Sequence, residues 1–285
     1  MTSWPTSVVI PTYRRPDQLD RLLKSLESVP ADLDVVVVDD GSPPGTYTDV
    51  MERHRGVRWE QGRNTGPAGA RNRGWRVAEH DRIVFLDDDC VVDPASFAGL
   101  SDALGEADAV GAAIEPLCPG HLVADFMHAE HLVSHKVEHG EVRWLVTACL
   151  AIRRSALEAL DGFDERLRHG GEDADLSLRL RAGGYRLAVE HDVVVRHDHR
   201  AGLRQLVRTY YRHGTGQRRL ADRHAERRDD LGASTRKRLS PSDWYATYRR
   251  YRADANVRTS LAYIALRAAM MVPWLTGAAV GSRSR

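Results

Sequence analysis

Asp87, Asp88 and Asp89 follow directly on the apolar run Ile83-Val84-Phe85-Leu86. Three carboxylates at the end of a buried strand repel one another unless a cation or several donors compensate. Oxygen ligands of this kind suit Mg²⁺ or Mn²⁺, which one or two carboxylates hold together with substrate phosphates. Side chains alternate along a strand, so Asp87 and Asp89 are expected on one side and Asp88 on the other. A second acidic centre, Glu172-Asp173, follows Gly170-Gly171. Acids in such a place fit either a general base or a helix N-terminus that favours them through its dipole. His197 follows the apolar run Val193-Val194-Val195, and an imidazole there suits Mn²⁺. His128, His131, His135 and His139 have near-helical spacing, but no cysteine and no HExxH pattern supports a zinc site.

The elements that must position these groups alternate strand and helix. Ser7 to Ile10, Asp34 to Val38, Val57 to Glu60 and Arg82 to Leu86 read as strands. Between them, Pro16 opens a helix carrying Leu19, Leu22, Leu23 and Leu26, and Gly66 to Glu79 forms another. This order predicts an α/β fold with a mostly parallel sheet flanked by helices. Ligands of such sheets bind beyond the carboxyl ends of the strands, where the acids stand. No GxGxxG follows the first strand and no GxxxxGK[ST] occurs, which argues against a dehydrogenase and a P-loop NTPase.

The chain has 285 residues, 42% hydrophobic and 28% charged, ordinary values for a globular protein. Cys90, Cys118 and Cys149 are widely spaced, which predicts a reducing setting and no disulfide framework. Met1 to Pro5 lack the pattern of a secretory signal. A cytoplasmic protein is expected, with the inner face of a membrane as the alternative location. The net charge of +1 hides an asymmetry: residues 1–199 sum to about −12 and the remainder to about +13. The chain is therefore expected to divide into a body, 1–200, and a basic helical extension, 201–285. In the extension Leu203, Leu206, Tyr210 and Tyr211 share one helical face, and Arg204, Arg208 and Arg212 another. Arg218 to Arg238 reads as a polar loop or mobile lid. Leu261 to Val280 is apolar except for Arg267 and is interrupted by Pro273, which suits packing on a partner, as in a homodimer, or within the chain, or a peripheral membrane helix, better than a span.

Five segments then occur in a recognisable order: VVIPTYRR at 8–15, VVVVDDGS at 35–42, NTGPAGARNRG at 64–74, FLDDDC at 85–90 and GFDERLRHGGEDADLSLRLRAGGYRL at 162–187. Over residues 6–200 the chain resembles the family 2 glycosyltransferases, inverting enzymes of GT-A fold that use nucleotide-sugar donors. The resemblance implies a UDP-sugar donor and Mn²⁺ or Mg²⁺. It implies a glycan, lipid-linked or small-molecule acceptor, and no nucleic acid. Pro11, Thr12, Tyr13, Arg15, Asp40 and Arg71 then line the nucleotide, and Asp89 is the direct metal ligand, with His197 completing the coordination. Asp87 and Asp88 divide the ribose and metal-side roles in one order or the other. Asp173 becomes the base, with Glu172 in support. Trp144 and Thr147 fall on the acceptor side, where Trp144 equally suits core packing, and Arg153 and Arg154 stand either near the phosphates or on a solvated face. A sugar nucleotidyltransferase is the rival enzyme, but PTYRRPDQ offers no glycine- and lysine-rich triphosphate loop. A non-catalytic membrane-associated relative is the other alternative, although all the acidic pairs are present.

Overall fold

The structure is a computed structural model and describes residues 4–168, 170–199, 202–227 and 240–281. Among the described residues ten strands form: β1 (Thr6–Thr12), β2 (Leu33–Asp39), β3 (Arg58–Gln61), β4 (Arg82–Leu86), β5 (Cys90–Val92), β6 (Ala109–Pro116), β7 (Lys136–Glu138), β8 (Glu141–Trp144), β9 (Cys149–Arg153) and β10 (Leu187–His197). Eight make one sheet in the order β3-β2-β1-β4-β9-β6-β10-β5, and β7 and β8 pair as a separate hairpin. β1 runs parallel to β2 and β4, β2 to β3, and β10 to β6. β9 lies antiparallel between β4 and β6, and β5 is antiparallel to β10. Two reversals through β9 restore the direction, so β1, β2, β4 and β10 all end at the same edge. The mostly parallel sheet read from the sequence is thus observed.

Strand alternation builds two cores. Val8, Ile10, Val37, Val84 and Leu86 face one side with Leu19, Leu22, Leu23 and Leu26 of the Pro16–Leu26 helix. Val9, Val36, Val38, Ile83 and Phe85 face the other, against Ala68, Ala70 and Trp75 of the Pro67–Val77 helix and Leu176 and Leu180 of the Glu172–Ala182 helix. Gly74 allows the Pro67–Val77 helix to approach closely: an added Cβ would overlap Val9 Cγ1 and meet Val38 Cγ2 at 3.0 Å. Both valines are fully buried and have no room to retreat. Gly74→Ala is expected to destabilise the protein by about 1–3 kcal/mol through overpacking. An unchanged urea midpoint would refute this.

Two compact units are present. The first holds the sheet; the second gathers Cys118–Leu132, Gly170, Gly171 and the described residues from His199 onward. The second is helical, with helices Leu122–Ala129, Leu203–Arg223, Pro241–Asp254 and Val257–Gly281. Phe126, Leu206, Tyr210, Tyr251, Tyr263, Met270, Met271 and Trp274 form its core. Leu206 and Tyr210 are buried as their spacing predicts, but Leu203 is 58% exposed because it opens the first helical turn. Arg218 to Arg223 continue the helix instead of starting a loop, with Arg218 paired to Asp222 one turn on. Residues 228–238 of the expected loop lie outside the described residues. Pro273 does not interrupt the last helix, which passes through it.

Candidate active site

The four strand ends bring the predicted residues to one edge of the sheet. Pro11 and Thr12 close β1 and are buried, while Tyr13 is half-buried under the Arg14 guanidinium, 4.9 Å from its ring centre. Thr12 Oγ1 donates to Asp88 Oδ2 at 2.7 Å and, having one proton, accepts from Tyr47 OH at 2.8 Å. The Tyr47 oxygen accepts in turn from the Arg15 backbone N–H at 3.1 Å. Tyr47 was not singled out from the sequence. It lies in a loop with no periodicity or motif, and only the fold carries it to Thr12.

The aspartate triplet departs from strand alternation. β4 ends at Leu86, and Asp87 to Asp89 form a turn closed by the Cys90 N–H donating to the Asp87 carbonyl at 3.1 Å. Asp88 therefore does not point away from its neighbours' site. Arg15 Nη1 bridges Asp88 Oδ1 at 2.7 Å and Asp89 Oδ2 at 3.0 Å, while Asp87 turns to Arg71. Burial raises the Asp88 carboxyl to about 6; Arg15 pulls it down and Asp89 adds to the rise. His197 Nε2 stands 3.1 Å from Asp89 Oδ1, in cross-strand register with Cys90.

Arg71 joins the two acidic centres. Its side chain is 4% exposed and donates to Asp87 Oδ1 at 2.7 Å and Glu172 Oε1 at 2.9 Å. Burial opposes its charge, but Asp87 and Glu172 outweigh that and hold its pKa above the ordinary value. The helix that supplies Arg71 is itself anchored. Asn72 donates to the Phe163 carbonyl at 2.8 Å and accepts from its N–H at 2.9 Å, so the segments 64–74 and 162–187 meet here. Glu172 is buried and Asp173 partly so, at the start of the Glu172–Ala182 helix. Asp173 Oδ1 accepts from the Ala174 N–H at 2.8 Å. Burial, then the neighbouring Glu172 charge, push the Asp173 carboxyl up to about 7.

Asp40, expected near the base or ribose, uses both oxygens on the protein. Oδ1 accepts from the Thr65 N–H at 2.7 Å and Oδ2 from the Gly66 N–H at 2.8 Å. Gly66 has φ 88°, a value that favours glycine, and an added Cβ would stand 3.1 Å from the Arg168 carbonyl. Asp40 thereby fixes the turn into the Arg71 helix. Asp39 caps its own turn through the Ser42 N–H at 2.9 Å. Arg154 does not stand on a solvated face: it donates to the carbonyls of Trp75 at 3.0 Å and Ala78 at 2.6 Å, at the end of the same helix, and its own N–H donates to the Asp81 carbonyl, beside the start of β4.

On the expected acceptor side, Trp144 is half-buried with Lys136 Nζ 4.4 Å from its ring centre, and Thr147 is 4% exposed. Leu145, between them, donates its N–H to Ser177 Oγ at 3.0 Å, and Ser177 donates to the Asp173 carbonyl at 2.9 Å. Ala148, after Thr147, accepts from the Asp87 N–H at 3.2 Å. The strand connection carrying Trp144 and Thr147 is thus tied to both acidic centres. His135 bridges the Ala112 carbonyl at 2.7 Å and the Val146 N–H at 3.0 Å. Burial lowers its pKa to about 4, so it is a neutral brace with Nε2 donating and Nδ1 accepting.

The donor set suits a hard divalent cation. Among the described residues Arg15 pairs with Asp88 and Asp89, and Arg71 with Asp87 and Glu172, so five carboxylates share two guanidiniums there; burial first, and the neighbouring carboxylates after it, raise Asp88 and Asp173. Asp89, Cys90 and His197 place one ligand atom each within 4.8 Å of one another. The Cys90 thiol is fully buried, and burial with the adjacent aspartates holds it well above its usual pKa. A protonated thiol is a poor ligand for Mg²⁺ or Mn²⁺, which leaves the carboxylate and the imidazole.

Known proteins resemble this chain in sequence and in fold. The model of the family described as Glycosyl transferase family 2 matches residues 7–160. A pre-mycofactocin glycosyltransferase of Mycobacterium tuberculosis is 32% identical over 235 residues, covering 78% of this chain and 48% of the relative. The chain thus spans about half the length of that relative. An N-acetylglucosaminyl-diphospho-decaprenol L-rhamnosyltransferase of the same organism is 29% identical over 260 residues, covering 76% of this chain and 84% of the relative. Among solved structures, the Pyrobaculum calidifontis mannosyltransferase PcManGT in complex with GDP-Man and Mn²⁺ aligns at TM-score 0.62 and 20% identity, covering 97% and 84% of the two chains. S. aureus TarS 1-349 in complex with UDP aligns at 0.54 and 16%, covering 99% and 92%. At these identities the structural likeness concerns the fold.

Proposed function

This chain belongs to glycosyl transferase family 2, and we propose that it moves a sugar from a nucleotide-diphosphate donor, a UDP-sugar first among them, to an acceptor with inversion at the anomeric carbon. The observation that carries this reading is the Arg71 bridge, 2.7 Å to Asp87 and 2.9 Å to Glu172. It ties the donor-side acids to the acid pair that would activate the acceptor. Pro11, Thr12 and Tyr13 lie along the base, and Asp88 and the Asp40-anchored turn serve the ribose. Arg15 and Arg71 face the diphosphate, where a guanidinium offers fixed donors to phosphate oxygens.

Asp173 takes the acceptor's proton as the acceptor oxygen or nitrogen bonds to the anomeric carbon. The bond from that carbon to the diphosphate breaks, and its electron pair leaves with the nucleoside diphosphate. A base whose pKa lies near neutrality suits this transfer. Glu172 Oε2 is buried without a hydrogen-bond partner and is available to orient the nucleophile, with Trp144 and Thr147 on the acceptor's other side. Asp89 and His197, with Asp87, would hold Mn²⁺ or Mg²⁺, which supplies charge stabilisation to the departing diphosphate. The acceptor is a cell-envelope glycan, a lipid-linked intermediate or a small natural product. The decaprenol in the rhamnosyltransferase relative's name favours the lipid-linked class, at the cytoplasmic face of a membrane.

The test is a thermal-shift panel of nucleoside diphosphates and their sugars, with and without Mn²⁺. UDP or a UDP-sugar is expected to raise the melting temperature, and more so with the cation. No stabilisation by any nucleotide would sink the proposal. Arg15→Gln adds a second reading. Without its bridge, Asp88 and Asp89 repel, so the metal-free variant is expected to lose about 1–3 kcal/mol. Mn²⁺ should recover more stability in the variant than in the parent. Equal recovery would show that Arg15 does not share the cation's ground.

A further inference from the structure

The Val257–Gly281 helix has 25 residues and two unlike faces. One is committed to the protein: Tyr263, Arg267, Met270, Met271 and Trp274 are buried in the second unit's core. The other carries Leu261, Ala265, Ala268, Ala269, Val272, Leu275, Thr276, Ala279 and Val280, all exposed and recurring at helical spacing. Leu261 is 55% exposed and Val272 67%. From Thr259 to Val280 the sole charged residue is Arg267, and it turns inward to Glu130 at 2.7 Å and Asp243 at 2.8 Å. The one hydroxyl on the exposed face, Thr276, donates to its own helix at the Val272 carbonyl, 2.8 Å away. No side chain on this face therefore needs a polar partner.

Three features identify the occupant. A protein partner would use aromatic anchors and hydrogen bonds, whereas the aromatic residues of this helix are all buried and its outer face from Leu261 onward carries no charged donor. The helix is long and apolar enough to cross a bilayer by length and composition, but its other face, with a buried ion pair, is held in the core, which a spanning segment could not keep. The stretch of sequence that carries it is basic. Residues 200–285 carry about 19 basic against 6 acidic side chains. Arg204, Arg208, Arg249, Arg252 and Arg258 are exposed, and Arg258 stands two helical turns before Ala265 on the same face.

We propose that this apolar face lies in the headgroup boundary of an anionic phospholipid bilayer, as a peripheral contact with exposed arginines reaching the lipid phosphates. An interfacial helix combines these two signals, an apolar face and basic residues near the anionic surface. The test is flotation of the full chain with vesicles of phosphatidylcholine, with and without phosphatidylglycerol. Binding is expected to the mixed vesicles, weakened by salt. The double variant Leu261→Glu/Val272→Glu should lower the partition coefficient by roughly tenfold or more, since two apolar side chains lose their burial. Its circular dichroism and melting temperature should hold, because both positions are solvent-facing. No binding to either vesicle, or equal binding by the variant, would overturn the proposal. So would sedimentation velocity showing a dimer that the variant dissociates in the absence of vesicle binding, since a second copy would then own this face.

Discussion

Replacing Asp173 with Asn is expected to lower the transfer rate by roughly 100-fold or more, to leave nucleotide binding intact, and to make the protein more stable above neutral pH. The carboxyl is pushed from its ordinary 3.8 to about 7 by burial and by Glu172. The folded chain therefore prefers the protonated form. Its contribution to stability is fully present below about pH 4 and is lost as the pH rises through about 7. An amide does not ionise, so the variant's advantage should grow over that interval and level off above it. In the parent enzyme, kcat/KM is expected to rise towards a plateau above about pH 7, as the free base becomes available. Normal transfer by the variant would rule out this base. A variant whose melting curve tracked the parent at every pH would show that Asp173 carries no buried-charge penalty.

The second large effect lies in the helical unit. Glu130 accepts from Tyr210 at 3.0 Å, Tyr251 at 2.6 Å, Arg250 at 3.0 Å and Arg267 at 2.7 and 2.8 Å. Its side chain is 3% exposed and that of Arg267 8%. Burial and the Glu130 charge hold both tyrosine hydroxyls well above their usual pKa. Glu130→Gln removes the anion on which four residues converge and leaves Arg267 only Asp243. Breaking one side of a buried ion pair typically costs about 3–5 kcal/mol, and a loss of that size is expected in urea unfolding. Glu130→Leu combined with Arg267→Met should recover part of it, because the uncompensated charge is gone. A Glu130→Gln variant with the parent's midpoint would show that this network is ornamental to stability.

The sequence was most legible where the physics is local. Short continuous apolar runs placed β1, β2 and β4 within two residues, and Pro16 and the Leu19 to Leu26 spacing placed the first helix. The aspartate triplet exposed the limit. Alternation is a property of extended backbone, and the chain turns at Asp87, so Asp88 joined Asp89 on Arg15 instead of opposing it. Arg154 met the same limit: its charge left a solvated face open, but helix carbonyls offered partners that no motif announces.

Composition, periodicity and motif order by themselves determined the α/β class, the basic extension and the acidic residues at issue, because each depends on neighbours in the chain. Which carboxylate meets which guanidinium was decided only in three dimensions. Arg15 reaches residues 88 and 89, and Arg71 reaches residue 172, across separations that no local rule spans. Parallel strand pairing supplies the reason, since it brings the ends of β1, β2, β4 and β10 to one edge, where charges distant in the chain must neutralise one another.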